Sequence, residues 1–390
     1  MNTKNKISIE LNKFRVLMTR FFLRLFWVFK IDNNKILFMS FNGLQYSDSP
    51  KSISNNISDK NKKIKQVWAF NDKSKFLSLE KKGIVVSNTN TLHFFYHILT
   101  SKIIIVNDFI YTFLPIRKNQ ILLNTWHGGG SFKTVGMTSK SYTDYDLFFF
   151  KIHRKMTNTF VSSSSYFNDT VLKRSFLFNG NILECGMPRN DVFFKNDPDI
   201  SIKVKNHFGI EKNKKIVLYA PTHRNIATAS DFLANEKNVI NIDSCLKALN
   251  QKFGGDFCFL FRAHHIISFD NLNGASFNAT KYPDMQELLY AADVLLTDYS
   301  SCMWDFSLMK KPSFVFATDL SNYINERDFF MDIFDWPFPI AQDNNELSYN
   351  ILNFDNNKFN IKIEKYLNDL GTFETGCATQ KVTDWAIRNL

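Results

Sequence analysis

Short apolar runs alternate with helical stretches along most of this 390-residue chain, and this alternation constrains the fold more than any other feature. Six runs between residues 36 and 161 have the length and composition of buried strands, and four more follow between residues 216 and 316. Segments 89–99 and 166–178, which flank such runs, carry a helical pattern. Strands that alternate with helices favour parallel sheets with crossover helices. The chain is therefore expected to be an α/β protein.

The length predicts more than one domain, because 390 residues exceed what one ordinary core holds. The alternation pauses at residues 195–200, where the letters K-N-D-P-D-I are typical of a linker. We predict two Rossmann-like domains, residues 35–198 and 199–390, with the last helix able to pack back on the first domain. Ligands of such sheets bind outside the carboxyl ends of the strands, so two facing domains predict a central cleft. A polar loop is expected at residues 225–241.

Composition and charge exclude several classes of protein. Hydrophobic residues make up 44% of the chain, which is ample for packed cores. The five cysteines have neither metal nor redox spacing, so we expect a reducing cytosol and no disulfide framework. The net charge of +11 is concentrated at the N-terminus, where residues 1–30 hold seven basic side chains and one acidic side chain. The mildly basic remainder argues against a nucleic-acid partner.

Residues 1–34 form a separate segment that is both basic and apolar. Phe14, Leu17, Phe21 and Leu25 recur at helical spacing, and the basic residues fall mainly between such positions. No uncharged run approaches the roughly 20 residues that span a bilayer, and no cleavage site of small residues follows an apolar core. We expect an amphipathic helix that lies on an anionic membrane surface. The alternative is a helix packed on its own domain, with its charges solvated.

Side chains able to do chemistry follow the apolar runs of the first half. His127 stands between Trp126 and three glycines that would let a substrate approach the backbone, and it could act as a general base. The structural alternative is a buried histidine that bonds a backbone carbonyl. Arg189 and Asp191 follow a proline turn at the end of another run. Arg189 could hold a phosphate, and Asp191 could equally anchor the turn.

The second half carries similar groups at three strand ends. The run 294–296 leads into the letters T-D-Y-S-S at 297–301, and apolar residues then recur at helical spacing. A helix that begins near Ser300 or Ser301 would offer hydroxyls and unpaired N–H groups to a phosphate, although the serines could simply cap it. The other two strand ends carry Thr222, Arg224, Arg262, His264 and His265. Together with the first half, these groups favour an anionic, nucleotide-like ligand.

These stretches resemble the CDP-glycerol glycerophosphotransferases of bacterial wall teichoic acid and capsule synthesis. The resemblance covers nearly everything after residue 35, in order and at sensible spacing. Its motifs are W-H-G at 126–128 with Lys133 and Gly136, G-M-P-R-N-D at 186–191, L-Y-A-P-T-H-R at 218–224, F-R-A-H at 261–264 and T-D-Y-S-S at 297–301. It extends to residues 41–49, 311–312, 327–330 and 374–382.

The resemblance implies a GT-B-type fold and the transfer of a polyol phosphate from a CDP-activated donor to a hydroxyl, with release of CMP. It implies that His127 and His264 are the catalytic histidines. On the donor side we expect Arg262, Thr297, Asp298, Ser300, Ser301, Arg224 and Thr222. On the acceptor side or in the cleft we expect Gly128, Gly129, Lys133, Arg189, Asp191 and His265. His127 would take the acceptor's proton, while Arg262 and the serine helix start would stabilise the leaving CMP.

The chain departs from the family pattern at two places. The family usually has a small residue and proline where this chain has Gly129-Gly130, which predicts a looser acceptor loop. It has prolines where this chain has Ala263 and His265, so either His264 or His265 could face the cleft. The letters D-x-D at 144–146 and 197–199 follow no apolar strand, so we expect no metal site there. No cofactor is expected to be required, although Mg²⁺ could accompany the nucleotide.

The donor and the acceptor stay open at this point. CDP-glycerol is the expected donor, with CDP-ribitol or a nucleotide-sugar as alternatives, because donor choice depends on the shape of the pocket. The acceptor is expected to be a polyprenyl-linked or polymeric glycan at the cytoplasmic face of the bacterial membrane, and either priming or polymerising activity fits. A non-catalytic, membrane-attached scaffold is the alternative from another class, which the complete set of strand-end residues disfavours.

Overall fold

The computed structural model describes residues 3–140, 142–222, 239–262 and 276–390. The chain divides into two compact units. The first consists of residues 1–129, 135–191 and 373–390, and the second consists of residues 130–134 and 192–372. The predicted domain limits at residues 34 and 198 do not coincide with the limits of these units, which reflect packing within the chain. The predicted domain ranges therefore stay a prediction.

The described part of the first unit is built on a seven-stranded parallel sheet with the strand order β3-β2-β1-β4-β5-β6-β7. Its strands are β1 Asp32–Met39, β2 Lys65–Phe70, β3 Val85–Asn88, β4 Ser101–Val106, β5 Ile121–Asn124, β6 Thr159–Ser162 and β7 Asn181–Glu184. Ile103–Val106 of β4 is buried throughout, as expected for a parallel strand covered on both faces. The strand order reverses between β1 and β4, the place where ligands of such sheets bind.

Helical segments connect most of these strands, whereas β4 and β5 are joined by residues 107–120 without a helix. The α-helices of the first unit are Thr3–Leu23, Asp48–Lys60, Leu92–Thr100, Asp144–Met156, Ser165–Phe167 and Ala378–Arg388. Shorter 3-10 segments cover Arg24–Val28, Phe41–Gly43, Lys73–Lys82, Gly136–Thr138 and Pro188–Phe194. The predicted helix at 89–99 is confirmed, with Thr91 accepting the Phe94 N–H at its start. The predicted helix at 166–178 is confirmed in part, because residues Asn168–Ser175 form a π-helix.

The described part of the second unit holds a six-stranded parallel sheet in the order β10-β9-β8-β11-β12-β13. Its strands are β8 Lys215–Tyr219, β9 Phe257–Phe261, β10 Ser276–Asn278, β11 Val294–Thr297, β12 Ser313–Phe316 and β13 Ile340–Ala341. Its α-helices are Pro198–Phe208, Ile242–Phe253, Met285–Ala291, Cys302–Ser307, Leu320–Glu326, Asn344–Leu352 and Asn356–Asp369, and a 3-10 turn covers Ile333–Asp335. The strand order reverses between β8 and β11. The α/β class with parallel sheets is therefore confirmed.

The N-terminal helix Thr3–Leu23 contacts the rest of the first unit near its end. Arg20 donates hydrogen bonds to the carbonyls of Thr112 and Leu114, and the indole N–H of Trp27 donates to the carbonyl of Pro115. Most of the large apolar side chains in this region are nevertheless exposed, including Phe21 at 62% and Leu25 at 75%. Within the described residues, no helix has the length and apolar character needed to cross a bilayer.

Two predictions about loops have different outcomes. The linker expected at 195–200 contains a helix start, because Asp197 accepts the Asp199 N–H and Pro198 opens the helix Pro198–Phe208. Most of the polar loop expected at 225–241 lies outside the described residues.

Candidate active site

His127 lies just beyond the carboxyl end of β5, in a bend that Asn124 and Trp126 form. Asn124 Oδ1 accepts the Trp126 N–H at 2.7 Å, and Trp126 has a φ of 52°, in the left-handed region that non-glycine residues rarely adopt. Strained backbone of this kind is often found at functional sites. The His127 ring stacks on the Trp126 ring, with centroids 4.3 Å apart.

The hydrogen bond of His127 fixes its tautomer. Nδ1 lies 2.8 Å from the carbonyl oxygen of Asn107, and a carbonyl can only accept, so Nδ1 carries the proton. In the neutral ring, the other nitrogen, Nε2, then carries the lone pair and can take a proton from a hydroxyl. The structural alternative, a histidine bonded to a backbone carbonyl, thus describes a real contact, and that contact also prepares the ring to act as a base.

Asn107 and Phe41, which were not predicted as site residues, contact His127. Asn107 and Asp108 follow β4, and Phe41 and Asn42 follow β1. Asn107 Oδ1 accepts the Phe41 N–H at 2.7 Å, and the Asn42 amide donates to Asp108 Oδ2 at 3.1 Å. These residues occupy the point where the strand order reverses. The available signal was the pair N-D directly after the apolar run 103–106.

The glycine loop after His127 packs tightly. Gly128 is half-buried, and the carbonyl of the buried Gly129 accepts a hydrogen bond from Ser163 Oγ at 2.8 Å. A Cβ atom at Gly130 would come within 2.4 Å of the Phe132 ring and within 2.8 Å of Trp304 Cβ. A larger residue at position 130 would force its neighbours to move. The close packing at Gly130 contrasts with the looser loop that the sequence predicts.

Residues 130–134 continue this loop within the second unit. Residue 133 bridges to Phe329, and the Thr134 N–H donates to the carbonyl of Asp328 at 2.9 Å. The ammonium group of Lys133 lies 6.0 Å from the centre of the Tyr323 ring. Phe132 is buried and contacts the ring of Trp336, with centroids 4.6 Å apart. Lys133 is therefore fixed by packing in the second unit.

Arg189 and Asp191 are both buried and bonded within the first unit. The guanidinium of Arg189 forms a 2.9 Å ion pair with Asp48, and both side chains are almost fully buried. Asp191 accepts the N–H groups of Ala378 and Thr379 at 3.0 and 2.7 Å, at the start of the C-terminal helix. These contacts favour a structural role for both residues, and their acceptor role stays a prediction.

In the second unit, the T-D-Y-S-S stretch begins at Thr297, the last residue of β11, where the strand order of the second sheet reverses. Thr297 Oγ1 donates to the carbonyl of Ala220 at 2.6 Å, and Asp298 Oδ1 accepts the Thr222 N–H at 2.8 Å. Both side chains are buried, so they hold the ends of β8 and β11 together. They thereby position this loop and the residues that follow it.

The serines at the end of this stretch are half-buried and precede the short helix Cys302–Ser307. The predicted helix start near Ser300 or Ser301 is confirmed. The side chain of Ser301 makes no capping hydrogen bond, and Ser300 Oγ accepts the Cys302 N–H only at 3.4 Å. Capping alone therefore explains little of the presence of two serines here.

Arg262 directly follows β9, which neighbours β8. Its guanidinium donates to the carbonyl of Tyr282 at 2.9 Å. Burial lowers the pKa of Arg262, while the charge of Asp284 acts in the opposite direction. A largely buried arginine keeps its charge, and an anion close by would compensate its lost hydration. His264, His265 and Arg224 lie outside the described residues.

The structure therefore groups the described candidates by sheet. His127 lies beyond β5, with Asn107 beyond β4 and Phe41 beyond β1, which are neighbouring strands of the first sheet. Arg262, Thr222 and Ser300 follow β9, β8 and β11, which are neighbours in the second sheet. Within the described ranges, no group of three or more His, Cys, Asp or Glu side chains could hold a metal ion. Both D-x-D stretches supply helix starts, through Asp146 and Asp197.

A family model described as CDP-Glycerol:Poly(glycerophosphate) glycerophosphotransferase matches residues 21–387. The chain belongs to this family. Among its relatives, a teichoic acid poly(glycerol phosphate) polymerase of Bacillus subtilis (strain 168) is 28% identical over 77% of this chain and 41% of the relative. A polymerase of the same description from Bacillus spizizenii is 26% identical over 98% of this chain and 99% of the relative. A teichoic acid poly(ribitol-phosphate) polymerase of Bacillus spizizenii is 30% identical over 74% of this chain and 47% of the relative.

The chain spans about half the length of several of these family members. A solved structure of the wall teichoic acid polymerase TagF is also similar, with 25% sequence identity and a TM-score of 0.81 over 100% of this chain and 98% of the solved one. A further structure of TagF, a histidine variant with CDPG, has a TM-score of 0.82 at 23% identity. The family match and the fold similarity agree with the resemblance found in the sequence.

Proposed function

We propose that this chain transfers glycerol phosphate from CDP-glycerol to a hydroxyl group of a lipid-linked or polymeric glycan or teichoic acid, releasing CMP. The polymer belongs to a bacterial cell wall or capsule. The observation that carries the proposal is the hydrogen bond of His127 Nδ1, in a chain that belongs to this family. Its Nδ1–H group donates to Asn107, which leaves Nε2 able to accept the proton of an attacking hydroxyl.

The proposed reaction is a single displacement at phosphorus. The acceptor oxygen attacks the phosphorus nearest the glycerol and transfers its proton to His127 Nε2. The bond from that phosphorus to the CMP oxygen breaks, and CMP leaves with the electron pair. Arg262 and the hydroxyls of Ser300 and Ser301 stabilise the charge that develops on CMP. His264, carried over from the family resemblance, adds positive charge at the leaving group.

The arrangement of sites follows from the same proposal. The donor nucleotide binds at the carboxyl ends of β8, β9 and β11, and the acceptor binds near β4 and β5 of the first sheet. No metal is required, and Mg²⁺ accompanies the nucleotide at most. Turnover that survives exhaustive treatment with EDTA would support this point, and turnover restored only by Mg²⁺ would contradict it.

The N-terminal segment supports a peripheral location at the cytoplasmic face of the membrane. Its exposed aromatic and aliphatic side chains, among them Phe14, Phe21 and Leu25, lie in the most basic part of the chain. Exposed apolar groups with basic neighbours suit the interface of an anionic bilayer. An acceptor on a membrane lipid would then lie close to the enzyme.

CDP-ribitol is the alternative donor, and it is supported by the similarity to a poly(ribitol-phosphate) polymerase. The deciding experiment incubates the purified chain with CDP-glycerol, CDP-ribitol or a UDP-sugar and a lipid-linked acceptor, and measures released CMP or UDP. We expect CMP from CDP-glycerol together with a product heavier by one glycerol phosphate. CMP from CDP-ribitol alone would change the donor. Tight CDP-polyol binding without any release of CMP would favour a non-catalytic scaffold.

The role of His127 is tested with His127→Asn, which we expect to lower turnover about 100-fold or more because general base catalysis is lost. The matched control is His93→Asn, which changes an exposed histidine on the helix Leu92–Thr100 of the same unit. The control is expected to retain normal turnover. Normal turnover in the His127 variant would refute the assignment.

A further inference from the structure

Asn107 forms two hydrogen bonds at this site, one with His127 and one with Phe41. Its main-chain carbonyl accepts the proton of His127 Nδ1, and its side-chain oxygen accepts the N–H of Phe41. Phe41 and Asn42 both have positive φ values, 46° and 52°, so this turn needs a contact that holds it. The Phe41 ring lies 5.6 Å from the His127 ring, centre to centre. One residue thus links the base to the strained turn beside it.

The amide nitrogen of the Asn107 side chain, Nδ2, is in an unusual setting. The residue is completely buried, and its Nδ2 group has no hydrogen-bond partner in the described part of the chain. A buried N–H group without a partner opposes folding, so stability alone does not explain an asparagine here. An aspartate would supply the same acceptor for Phe41 without an orphaned donor. It would also place a negative charge beside His127, and that charge would favour the protonated imidazole.

We propose that Asn107 is a positioning residue for His127 that must be neutral. Its carbonyl fixes the Nδ1–H tautomer, its amide oxygen holds the Phe41 turn against the ring, and its neutral amide places no negative charge beside the imidazole. This inference rests on the proposed function, since it assigns how the base of that reaction is prepared.

Two variants separate position from charge. Asn107→Asp keeps an acceptor for the Phe41 N–H and adds the charge. We expect it to fold and to shift the acidic limb of the pH–rate profile of kcat/KM upward by about one pH unit or more. Asn107→Ala removes the amide. We expect it to lower kcat about tenfold or more, with little change in the KM for CDP-glycerol, whose proposed site lies on the other sheet.

Gln120→Ala is the matched control. Gln120 is a buried amide just before β5, at the end of that strand opposite His127, and it bonds the carbonyls of Ile98 and Ser101. We expect this variant to melt at a lower temperature while the folded protein keeps its kcat and pH profile. The proposal is overturned if the Asn107→Asp profile superimposes on that of the unaltered protein, or if both alanine variants lose kcat in equal measure.

A measurement without substrate distinguishes failure of this inference from failure of the proposed function. Nitrogen-15 NMR of the imidazole groups, assigned through His127→Asn, reports the tautomer of His127. We expect the Nδ1–H form in the unaltered protein and in both variants, because the main-chain carbonyl of residue 107 remains. In Asn107→Asp we expect the His127 ring to take up its second proton at a higher pH, because a carboxylate favours the charged imidazole. If no donor yields CMP, the proposed function fails, and an unchanged His127 titration in Asn107→Asp would independently overturn the inference that residue 107 must be neutral.

Discussion

At the scale of single residues, His153 shows how burial alone changes the chemistry of a side chain. It is 2% exposed and lies among the rings of Phe109 and Phe149, and neither ring nitrogen has a partner within the described part of the chain. Burial, together with the charge of Arg20, lowers the pKa of His153 to about 3. The imidazole is therefore neutral in the folded protein under all ordinary conditions.

This histidine predicts a pH dependence of stability. Between pH 6.5, the ordinary pKa of histidine, and about pH 3, the unfolded chain binds a proton at residue 153 that the folded chain does not bind. The contribution of the buried neutral His153 to the free energy of unfolding is therefore complete above pH 6.5. It decreases as the pH falls, by at most about 1.4 kcal/mol for each pH unit. Urea unfolding at several pH values is expected to show a shallower acid loss for His153→Leu than for the unaltered protein. Parallel curves would contradict the assignment, and His93→Leu serves as an exposed control.

The sequence predicts some properties of single residues and not others. His127 was predictable, because it follows an apolar run and precedes glycines. Its tautomer was not, because it depends on a carbonyl 20 residues earlier in the chain. The role of Asn107 was not predicted: the letters N-D after the run 103–106 mark a strand end, but they do not show that the main-chain carbonyl of Asn107 bonds His127. The place of Thr297 and Asp298 near the donor stays a prediction, and the sequence did not show that their buried side chains bond neighbouring backbone.

At the scale of elements, two acidic side chains join the C-terminal helix Ala378–Arg388 and the residues before it to residues 187–191. Asp191 accepts two N–H groups at its start. Glu374, just before the helix, accepts the Met187 N–H and the amide of Asn190. Backbone N–H groups at a helix start need such acceptors because the helix supplies none. Three sequence motifs, at 41–49, 186–191 and 374–382, thus meet through Arg189, Asp48 and these acids.

We predict that Asp191→Ala lowers the free energy of unfolding by about 2 kcal/mol, because a buried helix start loses its acceptor. The comparison is Asp355→Ala, which removes the cap of Asn356–Asp369, where Asp355 accepts two N–H groups in a more exposed setting. That variant is expected to lose less, about 1 kcal/mol. Chemical denaturation measures both. Equal losses would show that burial of the cap has no influence.

Most elements follow from the sequence, and the exceptions have a physical reason. Strands such as β4 and β12 are apolar runs, since both faces of a parallel sheet are covered. Strands β10 and β13 have only three and two residues, too few for any periodicity, and position at the sheet edge defines them. The π-helical turn at Asn168–Ser175 has the letters of an ordinary helix.

At the scale of the whole molecule, the distribution of charge and exposed apolar surface predicts membrane binding. We expect the chain to sediment with vesicles of phosphatidylglycerol and phosphatidylcholine, and less so in high salt. The double variant Phe21→Glu with Phe22→Glu should weaken binding more than tenfold, because each exposed ring loses its burial in the interface.

The matched control changes an exposed apolar residue elsewhere in the first unit, Leu92→Glu, and it is expected to bind as the unaltered chain does. If the double variant binds as strongly as the unaltered chain, the N-terminal helix is not the membrane contact. If the double variant and the control are weakened equally, the cause is a general effect of added negative charge.

The interleaving of the two units along the chain has a consequence for biosynthesis. Residues 373–390 belong to the first unit, although the strands of its sheet end at Glu184. A ribosome therefore releases every strand of both sheets before it releases the helix that Asp191 and Glu374 hold in place. The strands of the first unit are translated first, and its C-terminal helix is translated last. Asp191 therefore lacks the helix N–H groups that it binds while residues 192–372 of the second unit are translated.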